Sequence, residues 1–326
     1  LPAPLWFAPP ANDEVDAPLF AAEAGALRID QLQFKGSHNS YHRAPRFALS
    51  PRFRYNHVSL ESQLEQQGVR HLEIDVRYAD GRIRVGHAPI IDGETSCADF
   101  HTCIREIKGW SRKHPLHVPL FVFVQPKDGL IGADLDDKLE LLDREIHRVF
   151  SRHELLLPRE VARGYPSLRR AVQELGWPTL AATRGKVAFV LFGQQRLVSK
   201  YARGRPCLEG RLMFAAPGHA GADYAAVVSI DDPLAHQNAI TSAARNHVLV
   251  RTRADASLVR DVRRRDAAVL SGAHFIGTDF VDPKQAWLDL GPSTPARRNP
   301  ITPEGYARRA PVLEIERMPS AQLSAR

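Results

Sequence analysis

Two histidines and four oxygen-bearing side chains carry most of the chemistry this sequence offers. His38 and Asn39 are neighbours in Gly36-Ser37-His38-Asn39-Ser40-Tyr41, and Glu73 and Asp75 alternate in His71-Leu72-Glu73-Ile74-Asp75-Val76. His87 follows Gly86, and Gln125 stands where the apolar run Pro119-Leu120-Phe121-Val122-Phe123-Val124 stops. Asn39, Glu73, Asp75 and Gln125 all present oxygen, which suits a hard cation such as calcium; zinc would recruit histidine or cysteine. Taken singly, Glu73 and Asp75 read as the wet face of an edge strand. In one alternating strand of a buried sheet they are costly unless a cation offsets them. Two imidazoles beside such a cation meet the needs of phosphodiester cleavage by a hydroxyl. One removes the proton, the cation stabilises developing charge, and the other protonates the departing oxygen. A lone histidine is usually structural; it is the partners that raise this reading.

The elements that must position these groups follow from periodicity. Leu32-Gln33-Phe34-Lys35 is the first strand, Leu60 to Gln67 a helix closed by Gly68, and Val69 to Val76 the second strand. Its alternation places Leu72, Ile74 and Val76 on one face and His71, Glu73 and Asp75 on the other. Asp80-Gly81 signals a tight turn into the short strand Arg82 to His87. Helices are expected at Asp99 to Lys113, Leu135 to Ser151, Leu234 to Asn246 and Leu258 to Ser271. Further strands are Pro119 to Val124, Lys186 to Phe192, Arg211 to Ala215, Ala226 to Ile230, His247 to Thr252 and His274 to Phe280. Eight strands with mostly helical connections predict an α/β fold, a somewhat irregular (β/α)8 TIM-type barrel in one domain at residues 26–290. Residues 1–25 read as an irregular arm and 291–326 as a peripheral tail. An open doubly wound sheet is the alternative, without a dinucleotide glycine fingerprint to support it.

The chain has 326 residues and a formal charge of +7 dispersed over the sequence, too little and too scattered to argue for nucleic acid. No apolar run approaches the ~20 residues that span a bilayer. Cys97 and Cys103 flank five residues and could close a disulfide loop in an oxidising compartment, or stand as free thiols in a reducing one; Cys207 is left over. The start, Leu1-Pro2-Ala3-Pro4, resembles a trimmed end from which an export signal has been removed. No obligatory protein partner is evident.

Gly36-Ser37-His38-Asn39-Ser40-Tyr41, Leu72-Glu73-Ile74-Asp75 and Gly86-His87 resemble the X-region of calcium-dependent phosphoinositide-specific phospholipases C. Softer similarity to the compact, secreted bacterial members extends through Leu175-Gly176-Trp177-Pro178, Val250-Arg251-Thr252-Arg253-Ala254-Asp255 and Gly277-Thr278-Asp279, so that it covers roughly 32–283. The resemblance implies a barrel that cleaves phosphatidylinositol at a membrane surface, giving diacylglycerol and a cyclic inositol phosphate. It implies His38 as general base, His87 as general acid, and Asn39, Glu73 and Asp75 as calcium ligands. The family pattern expects glutamate where this chain has Gln125, one negative charge fewer, which should weaken the cation site. Lys127, Arg251 and Arg253 are candidates for phosphate or head-group contact, and His42, His71 and Asp279 for support. Secreted or periplasmic placement follows from the resemblance. A glycerophosphodiester phosphodiesterase, which usually carries His-Arg in place of His38-Asn39, and a catalytically weak inositol-lipid binding barrel are the competing readings.

Overall fold

The computed structural model describes residues 25–88, 91–127, 135–285, 287–290 and 295–302. Among the described residues ten strands form one sheet: β1 (Leu32–Ser37), β2 (His71–Ala79), β3 (Arg82–Val85), β4 (Leu120–Pro126), β5 (Val187–Leu191), β6 (Met213–Ala215), β7 (Val227–Ser229), β8 (Leu249–Arg253), β9 (Phe275–Thr278) and β10 (Ala296–Arg298). Eight of them run in the order β6-β5-β4-β2-β1-β9-β8-β7, and the seven ladders that join neighbours in this order are all parallel. At the remaining seam, between β6 and β7, the Ser229 N–H donates to the Pro217 carbonyl at 3.0 Å. The barrel is thus nearly closed, as the eight-strand pattern predicts. It is irregular where β6 reaches β7 through a helix-free connection, and where three short helices, Pro158–Ala162, Leu168–Leu175 and Leu180–Thr183, precede β5.

The strands are buried on both faces, which is why β4 and β5 read as apolar runs rather than as clean alternation. Inside the barrel, Phe121 and Phe275 meet with ring centroids 4.5 Å apart, Phe34 stacks on Phe275 at 5.5 Å, and Phe123 lies 5.4 Å from Phe275. This aromatic floor packs beneath His71, whose ring is 4.6 Å from Phe123. A side chain at position 36 would place its Cβ 2.0 Å from His71 Nδ1, so glycine is required there. Apolar side chains therefore fill the lower barrel, and the polar groups of β2, β4, β8 and β9 lie above them.

Local signals set the boundaries. Asp80 and Gly81 take φ of 52° and 72°, the left-handed pair that joins β2 to β3 as a hairpin. Asp99 caps the helix Phe100–Lys113 through the Thr102 N–H, and Asp261 caps Val262–Leu270 through Arg263. That cap starts the last helix four residues later than its periodicity suggests. The helix expected from Leu135 becomes a 3-10 turn at Asp136–Lys138 followed by Glu140–Val149. β10 pairs antiparallel with β1, Leu32 opposite Arg298, so residues 295–302 lie against the barrel. The expected arm at 1–25, except Gly25, and most of 291–326 fall outside the described residues. Cys97 and Cys103 form a disulfide with Cα atoms 5.4 Å apart, and Cys207 is a buried free thiol. Among the described residues no helix is long and apolar enough to cross a membrane.

Candidate active site

The carboxyl ends of β1, β2, β4, β8 and β9 surround one mouth of the barrel. A cavity of about 260 Å³ opens there, lined by His38, Glu73, Gln125, Lys127, Arg251 and Arg253 among others. His38 directly follows β1, and its N–H donates to the Thr278 carbonyl of β9 at 3.0 Å. Its Nδ1 is 2.7 Å from Asp279 Oδ1. The other Asp279 oxygen takes Arg253 Nη2 at 3.0 Å. Burial works to raise the Asp279 carboxyl, but the charge and hydrogen bond of His38, then Arg253, override it and hold the group well below the usual carboxylate range. A carboxylate on Nδ1 fixes a proton on that nitrogen and leaves Nε2 as an acceptor, which is the state a general base needs. Burial and the neighbouring Asp279 push Asp255 up to about 6, and Asp255 in turn accepts the Asp279 N–H at 3.1 Å.

His57 closes the site from the loop after β1. Burial lowers it to about 4, so it is neutral and donates Nε2–H to the His38 carbonyl at 2.9 Å. Asn39 sits at φ 44°, a left-handed position that asparagine tolerates. Ser40 ties this turn to β2, its N–H donating to the Glu73 carbonyl at 2.9 Å and its Oγ accepting the Glu73 N–H at 2.7 Å.

His87 is placed through β3: the Gly86 N–H donates to the Asp75 carbonyl at 3.2 Å. Its Nδ1 lies 3.1 Å from Asp92 Oδ2, while His42 Nε2 holds the other Asp92 oxygen at 2.7 Å. Burial works to raise Asp92, and the hydrogen bond from His42 together with the nearby charges of His42 and His87 overrides it and lowers it. Each candidate catalytic histidine thus has a buried carboxylate near Nδ1, hydrogen-bonded at His38 and within 3.1 Å but without hydrogen-bond geometry at His87. His87 is not among the residues lining the cavity, and its ring lies 6.0 Å from Phe53.

The predicted cation ligands are held in a network of side-chain charges. Glu73 receives Arg251 Nε and Nη2 at 2.8 Å each, in a pair where both side chains are only 2% exposed. Burial works to raise Glu73, and Arg251 drives it well below the usual range. Asp75 Oδ2 accepts the Tyr41 hydroxyl at 2.9 Å and meets Lys127 Nζ at 3.2 Å, whereas Asp75 Oδ1 is buried without a hydrogen-bond partner. Lys127 also donates to Gln125 Oε1 at 2.9 Å. Among the described residues no three His, Cys, Asp or Glu side chains form a metal cluster, so a cation bound here would have to draw on amide oxygens such as those of Asn39 and Gln125 as well as on Glu73 and Asp75. The donors fit a hard cation. All offer oxygen, Asp75 Oδ1 is an orphaned acceptor, and a carboxylate has lone pairs for both Arg251 and a metal. Lys127 is the competitor. Lys127→Met should therefore raise calcium affinity roughly tenfold by removing a charge about 3 Å from Asp75, checked by isothermal titration calorimetry; unchanged affinity would place the ion away from Asp75 and Gln125.

The three candidate substrate cations are all paired. Arg251 is taken by Glu73 and also meets Asp231, Arg253 by Asp279, and Lys127 by Asp75 and Gln125. His71 lies under Glu73, its Nε2 3.2 Å from Oε1, and supports the layer from below. Asp92 and His57 escaped sequence reasoning. Both sit in loops, where no periodicity announces which way a side chain turns.

A family model described as phosphoinositide phospholipase C, Ca2+-dependent, matches residues 27–82 and 79–300. No curated protein matches the chain in sequence. The fold is similar to a calcium-dependent phosphoinositol-specific phospholipase C from Pseudomonas sp. in its apo form, at TM-score 0.63 and 20% identity over 86% of this chain and 99% of that one. A myoinositol complex of such a Pseudomonas enzyme gives TM-score 0.63 and 20% identity over 85% and 97%. A Ca2+-dependent phosphatidylinositol-specific phospholipase C from Streptomyces antibioticus gives 0.59 and 19% over 80% and 97%. The family match spans most of the barrel and both histidine segments, and the chain belongs to the calcium-dependent phosphoinositide phospholipases C.

Proposed function

We propose that this chain cleaves plain phosphatidylinositol on the glycerol side of phosphorus, by acid–base catalysis between His38 and His87. The observation that carries the reading is the His38–Asp279 contact of 2.7 Å at the barrel mouth. His38 Nε2 takes the proton of the inositol 2-hydroxyl, whose oxygen attacks phosphorus. The bond from phosphorus to the glycerol oxygen breaks, His87 protonates that oxygen, and diacylglycerol leaves with a cyclic inositol phosphate as the second product. Water then opens the ring with the two histidines in exchanged roles. Asn39, Glu73, Asp75 and Gln125 would hold the calcium ion, which when bound supplies positive charge to the phosphoryl oxygens and the attacking hydroxyl.

Pairing of Lys127, Arg251 and Arg253 with carboxylates supports a head group without extra phosphates. The Cys97–Cys103 disulfide supports work in an oxidising compartment, secreted or periplasmic. The test presents phosphatidylinositol vesicles and, separately, deacylated glycerophosphoinositol, and measures water-soluble inositol phosphate. Release from the vesicles at the higher rate is the expected result. Turnover of the deacylated diester with none from vesicles would instead favour the glycerophosphodiesterase reading, and no release from either the binding barrel.

A further inference from the structure

We propose that Asp255 is a positioning residue for the reaction: its carboxylate grips the turn at 278–280 so that Asp279 stays on Nδ1 of His38. This rests on the phospholipase reading and deepens it by adding a third member behind the His38–Asp279 pair.

Asp255 stands two residues beyond β8, fully buried and absent from the lining of the cavity, so it is out of reach of a substrate. All of its hydrogen-bond donors come from the segment that follows β9. Its Oδ1 accepts the Asp279 N–H at 3.1 Å. Its Oδ2 accepts the Thr278 hydroxyl and, at 3.2 Å, the Trp287 Nε1–H. Thr278 Oγ1 in turn accepts the Phe280 N–H at 3.0 Å, so one carboxylate organises the N–H groups of two successive residues. The same turn carries both groups that hold His38: the Asp279 carboxylate on Nδ1 at 2.7 Å, and the Thr278 carbonyl on the backbone N–H at 3.0 Å. A shift of Asp255 would therefore be passed to the imidazole through two separate contacts.

The residue type matters. An ionised carboxylate only accepts, and its two oxygens have room for all three donors at once. An amide would have to turn its NH2 toward the Asp279 N–H or toward the Thr278 and Trp287 donors, and that side of the grip would open. Charge acts in the same sense. Asp255 and Asp279 are like charges at buried positions, an arrangement that burial and repulsion both disfavour. Arg253 offsets part of this, with Nη2 3.0 Å from Asp279 Oδ2 and 3.6 Å from Asp255 Oδ1. The pair of anions makes the potential at His38 Nδ1 negative and favours the tautomer with its proton there, which leaves Nε2 free to take the substrate's proton. Displacing a base by about 1 Å can cost on the order of a hundredfold in rate, so a residue that never meets the substrate can still set kcat.

The test reads turnover and the tautomer of His38 on the same proteins. Turnover is measured on phosphatidylinositol in detergent micelles. The tautomer is read from 1H–15N NMR of the resting protein with labelled histidine, at a pH where the imidazoles are neutral, and His38 is assigned by its loss in His38→Ala. Asp255→Asn and Thr278→Val should each lower kcat about tenfold or more with KM within about twofold, and each should move the His38 proton from Nδ1 toward Nε2. Thr278→Ser, which keeps the hydroxyl, should leave rate and tautomer close to those of the unaltered protein. In an Asp279→Asn background, adding Asp255→Asn should cost less than about twofold more, because the group through which it acts is already lost. A further tenfold loss in that background, a change confined to KM, or full rate with an unchanged tautomer in Thr278→Val overturns the proposal, and the last of these does so even if Asp255→Asn fails to fold. No turnover in the unaltered protein, with the tautomer shift still present in the variants, would uphold the positioning and count against the phospholipase reading alone.

Discussion

His38→Ala should lower the turnover number for phosphatidylinositol roughly a thousandfold or more, with little change in KM or in melting temperature. The side chain is partly exposed at the barrel mouth, so truncation opens no core cavity. What is lost is the acceptor Nε2, which the Asp279 carboxylate at Nδ1 orients. Asp279→Asn should act in the same direction but less, about a hundredfold, because the amide can turn its N–H toward the imidazole and favour the wrong tautomer. That substitution also releases Arg253, whose partner at 3.0 Å is the same carboxylate. Steady-state kinetics on vesicles, with far-ultraviolet dichroism to confirm folding, decides the matter. If His38→Ala retained more than about a tenth of the rate, His38 would not be the base.

The second large effect concerns stability. Arg251→Met should destabilise the fold by roughly 3–5 kcal/mol, because Glu73 would keep its charge at a nearly inaccessible position with its guanidinium partner removed. Both partners are almost fully buried, and the guanidinium makes two contacts of 2.8 Å with the carboxylate. Glu73→Leu in the same protein should return a large part of that loss, since two apolar groups of similar volume can pack where an ion pair stood. Urea unfolding of the two single variants and the double variant measures the coupling. A single-variant loss under about 1 kcal/mol would mean that the remaining charge finds water.

Legibility of the fold followed from periodicity. Apolar runs such as Pro119 to Val124 and the alternation across Leu72, Glu73, Ile74 and Asp75 marked strands whose placement needs only the right-handed crossover habit of parallel sheets. Capping residues set the ends, as Asp261 does by delaying the last helix to Val262. The site was legible where chemistry sits on strands, since parity alone assigns Glu73 and Asp75 to one face. It was opaque in loops. Asp92 reaches His87 and His42 across a turn of the chain, and His57 returns to the His38 carbonyl from nineteen residues away. Pairing was equally hidden: Arg251 and Glu73 are 178 positions apart, and only the barrel's closure through β1 and β9 brings them into contact. The same holds for Lys127, whose type was visible but whose contacts with Asp75 and Gln125 were not.

The most direct measurement is a phosphorus-31 NMR time course on phosphatidylinositol dispersed in detergent, in the presence of calcium. Attack by the substrate's own 2-hydroxyl under His38 predicts that a cyclic inositol phosphate signal rises first and an inositol monophosphate follows. Monophosphate from the first time point, with oxygen from labelled water on phosphorus and no cyclic signal at any stage, would contradict the account.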